Sequence, residues 1–285
     1  MTQIIDGKKI AEAICRDIAE QVKTRHRDPY LAVIIVGNDP ASEIYVRRKE
    51  RVATQIGITT DINRFPSDIT QDALESFIWE LNSNPLVDGI LIQLPLPKHI
   101  NRNFIVEQID PEKDVDGFHP LNVGRFTAGD PIHTPCTPKG IMKLLDAAGA
   151  VLKGTEALVI GTGAVGRPTA LLLSQAGATV TMANSQTRDL DDLCWRSGII
   201  VAAAGCPNLV RGNHLWDEGQ TTIIDVGINR LADGSIVGDV AFDECVGIVR
   251  AITPVPGGVG PMTIACLMEN TLECYSRLRI LKRNI

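Results

Sequence analysis

Short, almost wholly apolar runs recur along this chain, and the stretches between them repeat their apolar residues at helical spacing. The runs are Tyr30–Gly37 (YLAVIIVG), Val87–Leu94, Glu156–Gly161 (EALVIG), Ile199–Ala204 and Thr221–Val226 (TTIIDV). A strand apolar on both faces must be covered on both faces, which a parallel sheet flanked by helices achieves. Ile10, Ile14, Ile18 and Val22 predict a helix over residues 7–25. Further helices are expected at Ser42–Gly57, Gln71–Leu81 (capped by Thr70 or Asp68), Gly140–Ala148, Ala164–Ala176 and Leu190–Arg196. Asp61–Phe65 and Thr179–Ala183 read as further strands. This alternation predicts an α/β fold. At 285 residues the chain is comfortable for two domains. Aromatic residues make up only 4%, so Ile, Leu, Val and Ala must build the cores. Residues 98–138, with five prolines, read as a loop-rich connection.

Charge and composition exclude several classes. The net charge is −6, with both signs mixed along the chain. That argues against general nucleic-acid binding, which needs a basic face. A local cluster such as Arg47, Arg48, Lys49 and Arg51 could still hold a small anion. No run of 18 apolar residues is present, so no membrane span is expected. The start, MTQIIDGKKIAEAI, lacks a signal-peptide core. Seven cysteines form no CxxC pair, which suits reduced thiols in a cytoplasm. Five scattered histidines give no metal-ligand spacing, and no metal is expected.

Five motifs carry chemistry. Pro254–Pro261 (PVPGGVGP) is too rich in proline and glycine for helix or central strand, and too apolar for a solvated loop. It reads either as a wall against a flat or anionic ligand or as a crossing loop packed for shape. The apolar run after it predicts a last helix over about Met262–Arg279. Gly161-Thr-Gly163-Ala-Val-Gly166 lies between a predicted strand and helix, the setting a dinucleotide fingerprint needs, although a purely structural turn has the same pattern. Tyr45 and Lys49 stand one helical turn apart, on what by pattern alone is a solvated basic helix. Gln93 ends a predicted parallel strand, where α/β sheets bind ligands, and Asp116 lies in a DVDG turn. A strand-end amide and a plain loop aspartate are the simpler readings of those two.

Tyr45–Ile58 (YVRRKERVATQIGI), Ile90–Pro97 (ILIQLPLP), Asp110–Pro120 (DPEKDVDGFHP) and Ile252–Thr271 (ITPVPGGVGPMTIACLMENT) together resemble the bifunctional methylenetetrahydrofolate dehydrogenase/methenyltetrahydrofolate cyclohydrolase family. The resemblance spans nearly the whole chain. It implies two α/β domains, the second a Rossmann-type doubly wound parallel sheet, with the active site in the cleft between them. The expected folate-binding catalytic domain is 1–138 plus 262–285, and the expected dinucleotide-binding domain is 139–261. The last helix is expected to pack back on the first domain.

The resemblance implies roles for particular residues. Tyr45 stacks on the pterin, Lys49 is the catalytic group and Gln93 assists it. Ile92, Leu94, Asp116 and Pro256, Gly257, Gly258, Val259 and Gly260 complete the folate site. Gly161, Thr162, Gly163, Gly166, Ser185, Arg188 and Ile228 bind the nucleotide. The chemistry is consistent with these roles. Oxidising a methylene bridge between two nitrogens leaves an amidinium-like cation that water can open. A lysine can move the protons only if its pKa is lowered, by burial and by cations such as Arg48. The neutral amide of Gln93 can bond that lysine without raising its pKa. A carboxylate at Asp116 can accept two parallel N–H bonds from the pterin edge, while Asp114 orders the loop with Lys113 nearby.

One segment departs from the family. Its usual G-x-S-x-x-x-G-x-P is here GTGAVGRP, one residue shorter and without the Arg and Ser of that turn. The alternative functions this raises are a monofunctional cyclohydrolase or a non-catalytic folate- or nucleotide-binding paralogue. Met182–Asp189 (MANSQTRD) has no carboxylate before Asp189, and Arg188 can serve a 2′-phosphate, so NADP is expected ahead of NAD. A homodimer acting on tetrahydrofolate derivatives is the family expectation.

Overall fold

The computed structural model describes residues 1–216 and 220–283; residues 217–219, 284 and 285, which the expected domain ranges include, lie outside the described residues. In chain order the first half contains β1 (Gln3–Ile4), α1 (Gly7–Lys23), β2 (Tyr30–Val36), α2 (Pro40–Gln55), β3 (Thr59–Phe65), α3 (Gln71–Ser83), β4 (Gly89–Ile92), α4 (Arg102–Glu107), α5 (Pro120–Thr127) and α6 (Cys136–Ala147). The second half contains β5 (Glu156–Ile160), α7 (Gly166–Gln175), β6 (Thr179–Ala183), α8 (Leu190–Arg196), β7 (Ile199–Ala202), β8 (Thr222–Asp225), β9 (Asn229–Arg230), β10 (Ile236–Val237), α9 (Phe242–Cys245), β11 (Ala251–Ile252) and α10 (Val259–Arg283).

Ala13–Cys136 and Ile264–Ile285 form one compact unit. Its parallel sheet has the order β3-β2-β4. Because strand side chains alternate between faces, β2 feeds two cores at once. Leu31, Val33 and Ile35 pack with Ile18 and Val22 of α1, Val46 and Ala53 of α2, and Leu267, Met268 and Tyr275 of α10. Ala32, Ile34 and Val36 pack with Leu74, Ile78 and Leu81 of α3 and with Ile105 of α4. This two-sided burial is why Tyr30–Gly37 reads as a continuous apolar run. Thr70 caps α3 by accepting from the Ala73 amide at 3.2 Å.

Met1–Glu12 and Thr137–Thr263 form the other unit. Its six-stranded parallel sheet has the order β1-β11-β8-β7-β5-β6. From β5 the chain runs outward to β6, then returns to place β7 on the other side of β5, so the topological switch point lies between β5 and β7.

Residues 1–12 group with 137–263 in one compact unit, because Gln3 and Ile4 pair with Ala251 and Ile252. Thr2 fastens the same edge, its hydroxyl donating to the Val249 carbonyl at 2.7 Å and accepting from the Gly247 amide at 2.8 Å. The 98–138 segment contains two short helices, α4 capped by Asn101 and α5 entered through Pro120. The PVPGGVGP run is not wholly non-helical, since α10 begins at Val259. The first amides of a helix have no intrahelical acceptor, so Pro261 is tolerated there, as Pro138 is in α6.

Candidate active site

Asp39 starts α2 by accepting from the Ser42 amide at 2.8 Å. The helix then turns Arg47, Arg48 and Arg51 to solvent, while Val46, Lys49 and Ala53 face inward. Lys49 is only 7% exposed. Its Nζ donates to Gln93 Oε1 at 2.9 Å and lies 5.7 Å from the Tyr45 ring centroid. Gln93 directly follows β4. Its backbone amide donates to Ile34 O at 2.8 Å and its Nε2 to Leu94 O at 2.9 Å. With Nε2 so engaged, the amide oxygen is the group aimed at the lysine. Burial pushes the Lys49 pKa down, opposed by the nearby Asp116 and Cys136. Arg48 does not contribute as expected: it is exposed, and its charge acts on Tyr45 instead, against the burial that raises that phenol.

Asp116 faces the same place. Burial raises its carboxyl to about 6, Lys49 pulls it down, Asp114 pushes it up, and Cys136 and Arg102 lower it. Asp116 shares a small cavity with Ile90, Ile92, Leu94, Asp114 and Phe118. Asp114 holds the turn together: it accepts from the amides of Gly117 at 3.0 Å and His119 at 2.7 Å, and from Asn122 Nδ2 at 2.9 Å. Lys113 is directed elsewhere, donating to the carbonyls of Leu81, Asn82 and Asn84 at the end of α3. The structure thus brings Tyr45, Lys49, Ile92, Gln93, Leu94 and Asp116 together within one unit.

Two residues of this site are not apparent from the sequence. Cys136, buried, donates through Sγ to Val115 O at 3.3 Å and hydrogen-bonds Asp116. Asn270, wholly buried in α10, donates from Nδ2 to Val115 O at 2.8 Å and to Thr134 O at 3.0 Å. Together they fix the backbone beside Asp116. The one available signal was an amide inside the apolar run Met262–Leu272; Cys136 lies in a proline-rich stretch that reads as linker.

The other unit carries the glycine turn. Gly161, Thr162 and Gly163 leave β5, and Gly166 opens α7. Gly161 has φ +114°, and a Cβ on it would stand 2.1 Å from the Ala203 carbonyl oxygen that follows β7. A Cβ on Gly166 would stand 1.8 Å from Gly161 O. Those two glycines are demanded by packing. Gly163 meets nothing within 4 Å, so the protein itself does not require its missing side chain. The N-terminus of α7 has no side-chain cap and no acidic residue in its first turn. Open space before uncapped helix amides suits a pyrophosphate. The shortened turn therefore keeps the strand–turn–helix geometry of a dinucleotide site.

Ser185 and Arg188 are both exposed in the loop after β6, where Asn184 accepts from the Gln186 amide. Ile228 is 56% exposed, between β8 and β9. Pro256 and Gly257 form a turn, with Gly257 at φ +115°, and Val259 and Gly260 open α10. A Cβ on Gly258 would stand 2.7 Å from Pro254 O. Pro256–Gly260 belong to this unit and not to the one that holds Lys49.

Residues 5–116 match the tetrahydrofolate dehydrogenase/cyclohydrolase catalytic domain, and residues 135–279 match the NAD(P)-binding domain of the same family. The bifunctional protein FolD of Acidiphilium cryptum is 52% identical over 271 residues, covering 95% of this chain and 96% of that protein. The crystal structure of FolD from Campylobacter jejuni superposes with a TM-score of 0.94 at 44% identity, covering 97% of this chain and 100% of that one. The Trypanosoma brucei FolD structure, complexed with NADP and an inhibitor, gives a TM-score of 0.92 at 38% identity, with 97% and 98% coverage. With both domains matched in order on nearly the whole chain, this protein belongs to the tetrahydrofolate dehydrogenase/cyclohydrolase family.

Proposed function

We propose that this chain oxidises 5,10-methylenetetrahydrofolate to 5,10-methenyltetrahydrofolate, with the hydride passing to NADP, and then hydrolyses the product to 10-formyltetrahydrofolate. The observation that carries this reading is the buried Lys49, bonded to a neutral amide 2.9 Å away and lowered in pKa by desolvation. A lysine paired with a carboxylate would be held protonated; pairing with the neutral Gln93 lets desolvation lower its pKa, which makes proton exchange easier. The neutral amine takes a proton from water attacking the methenyl carbon and returns it as the ring opens. Tyr45 offers a ring face for the pterin, and the Asp116 carboxylate accepts from its amino-pyrimidine edge. Asp116 binds in this way while ionised, above a pKa of about 6. Ile92 and Leu94 supply apolar walls to the folate.

NADP, when bound, accepts the hydride. The residues present fit it: Gly161–Gly166 for the pyrophosphate, Ser185 and Arg188 for the adenosine phosphate, and Ile228 as an exposed apolar contact. The absence of a carboxylate at the end of β6 favours the 2′-phosphate form over NAD. The intact strand–turn–helix geometry supports retention of the dehydrogenase step over a monofunctional cyclohydrolase. No helix among the described residues is long and apolar enough to cross a membrane. A cytoplasmic homodimer is the assembly we assign, and light scattering on the purified chain tests it, with the mass of two chains expected.

The deciding experiment follows methylenetetrahydrofolate oxidation with NADP and NAD side by side, and methenyl hydrolysis in the same preparation. Turnover in both assays, with NADP preferred, is expected. Hydrolysis without oxidation would assign the chain to cyclohydrolase alone.

A further inference from the structure

Two buried carboxylates in the nucleotide-binding unit, Asp225 and Asp239, are 3% and 0% exposed and face no lysine or arginine in an ion pair among the described residues. Each is satisfied by N–H groups instead. Asp239 Oδ2 accepts from the backbone amides of Ala204 at 2.7 Å and Gly205 at 2.8 Å, and its Oδ1 accepts from Asn229 Nδ2 at 2.8 Å. Asp225, the last residue of β8, accepts from the amides of Gly227 at 2.9 Å, Asp239 at 2.9 Å and Val240 at 3.0 Å. Asp225 therefore fixes the backbone of Asp239, and Asp239 fixes two loops.

Those loops are the ones that matter for a dinucleotide. Ala204 and Gly205 follow β7, directly after the Ala203 carbonyl against which Gly161 is packed. Asn229 follows Ile228. Both loops leave the carboxyl ends of parallel strands, one of them at the switch point, where α/β sheets bind their ligands. The tightness of the arrangement is visible in its glycines. A Cβ on Gly227 would stand 2.3 Å from Asp239 Oδ1, and one on Gly238 would stand 1.8 Å from Asp225 Oδ2.

We propose that Asp239, held by Asp225, is a positioning residue for the nucleotide: its carboxylate ties the Ala204–Gly205 loop to the Ile228–Asn229 loop and so sets the shape of the dinucleotide site. This rests on the reading that the unit binds NADP. A carboxylate is needed because one oxygen must accept two amides while the other accepts a third N–H. An amide at this position keeps the first oxygen for the two backbone amides but loses the charge that strengthens all three bonds, and Asn229 must turn its own oxygen inward to bond the new NH2, so the link between loops is weakened.

The test is steady-state dehydrogenase kinetics on the full chain, with NADP and folate varied independently, and direct NADP titration of wild type as its reference. Asp239→Asn is expected to raise KM for NADP several-fold, with kcat within two-fold and the folate KM unchanged. The exchange Asn229→Asp with Asp239→Asn re-forms the pair with donor and acceptor reversed and is expected to restore most of the lost affinity. If Asp239→Asn does not fold, Asn229→Ala removes only the loop link and is expected to raise the NADP KM several-fold. An NADP KM within two-fold of wild type in whichever variant folds, or a fall in kcat at constant KM, overturns the proposal. Failure of wild type to bind NADP overturns the functional reading instead.

Discussion

Lys49 is chemically useful because of where α2 places it. The three arginines around it are solvated, and only the lysine is turned inward to an uncharged partner. On the proposed mechanism Lys49→Met removes the proton carrier while leaving an apolar stem of similar length. Methenyl hydrolysis, followed by absorbance, is expected to fall by about 10²–10⁴-fold with folate binding largely kept; an undiminished rate would remove Lys49 from the mechanism. Asp116 carries the opposite bargain between stability and binding. Its folded-state pKa, about 6, lies above the ordinary carboxylate value of 3.8. The native state therefore holds the proton more tightly than the unfolded chain, and stability falls as pH rises from about 4 to about 6. Asp116→Asn is expected to raise stability above pH 6 by about 1–2 kcal/mol, discounted for its partial exposure, with no gain below pH 4. Thermal melts across pH check this, and a melting temperature lowered at pH 7 would contradict it. The same titration predicts that the wild-type folate KM rises as pH falls below 6, where the carboxylate becomes protonated.

Among the elements, the β5–α7 turn separates packing from function at neighbouring glycines. A methyl on Gly166 has no room beside Gly161 O, and a methyl on Gly163 meets nothing. Gly166→Ala is expected to cost more than about 3 kcal/mol of stability, read from denaturant midpoints. Gly163→Ala is expected to leave stability within about 1 kcal/mol while weakening NADP binding. Loss of stability at Gly163 would show that the turn is packed more closely there than the backbone indicates. The GxGxxG spacing announced the turn but could not assign different reasons to its glycines, because the constraint on Gly161 is the Ala203 carbonyl that follows β7 and the constraint on Gly166 is the folded turn's own Gly161 carbonyl. Likewise, Thr70 was legible as a cap from its neighbours, whereas the short helices α4 and α5 were hidden by proline that marks loop and helix entry alike.

At the scale of the whole molecule, the chain is divided otherwise than its order suggests. The first strand belongs to the sheet made mostly by residues 137–263, and the last helix to the core made mostly by residues 13–136. Replacing Thr2 with Val removes two hydrogen bonds that fasten the N-terminus beside β11. Hydrogen exchange is expected to quicken at Ala251 and Ile252 while β2 and β4 keep their protection. Equal quickening in β2 would mean that the two sheets unfold as one. A two-residue strand such as β1 carries no periodicity of its own, which is why its partner could not be read from the chain.

What the sequence determined by itself was whatever depends on near neighbours. Apolar runs dictated buried parallel strands, helical spacing dictated the flanking layers, and four motifs were specific enough to carry the family. Lys49 and Gln93 were legible as candidates because each sits at a recognisable point of an element, an inward helix face and a strand end. Tertiary structure alone decided which groups meet. It removed Lys49 from water, aimed the Gln93 oxygen at it, set Cys136 and Asn270 behind Asp116, and tied two loops through Asp239. Each of those contacts joins residues from 10 to 155 positions apart, and a hydrogen bond has no preference for sequence distance. Only the packing of the sheets fixes which partners come within reach.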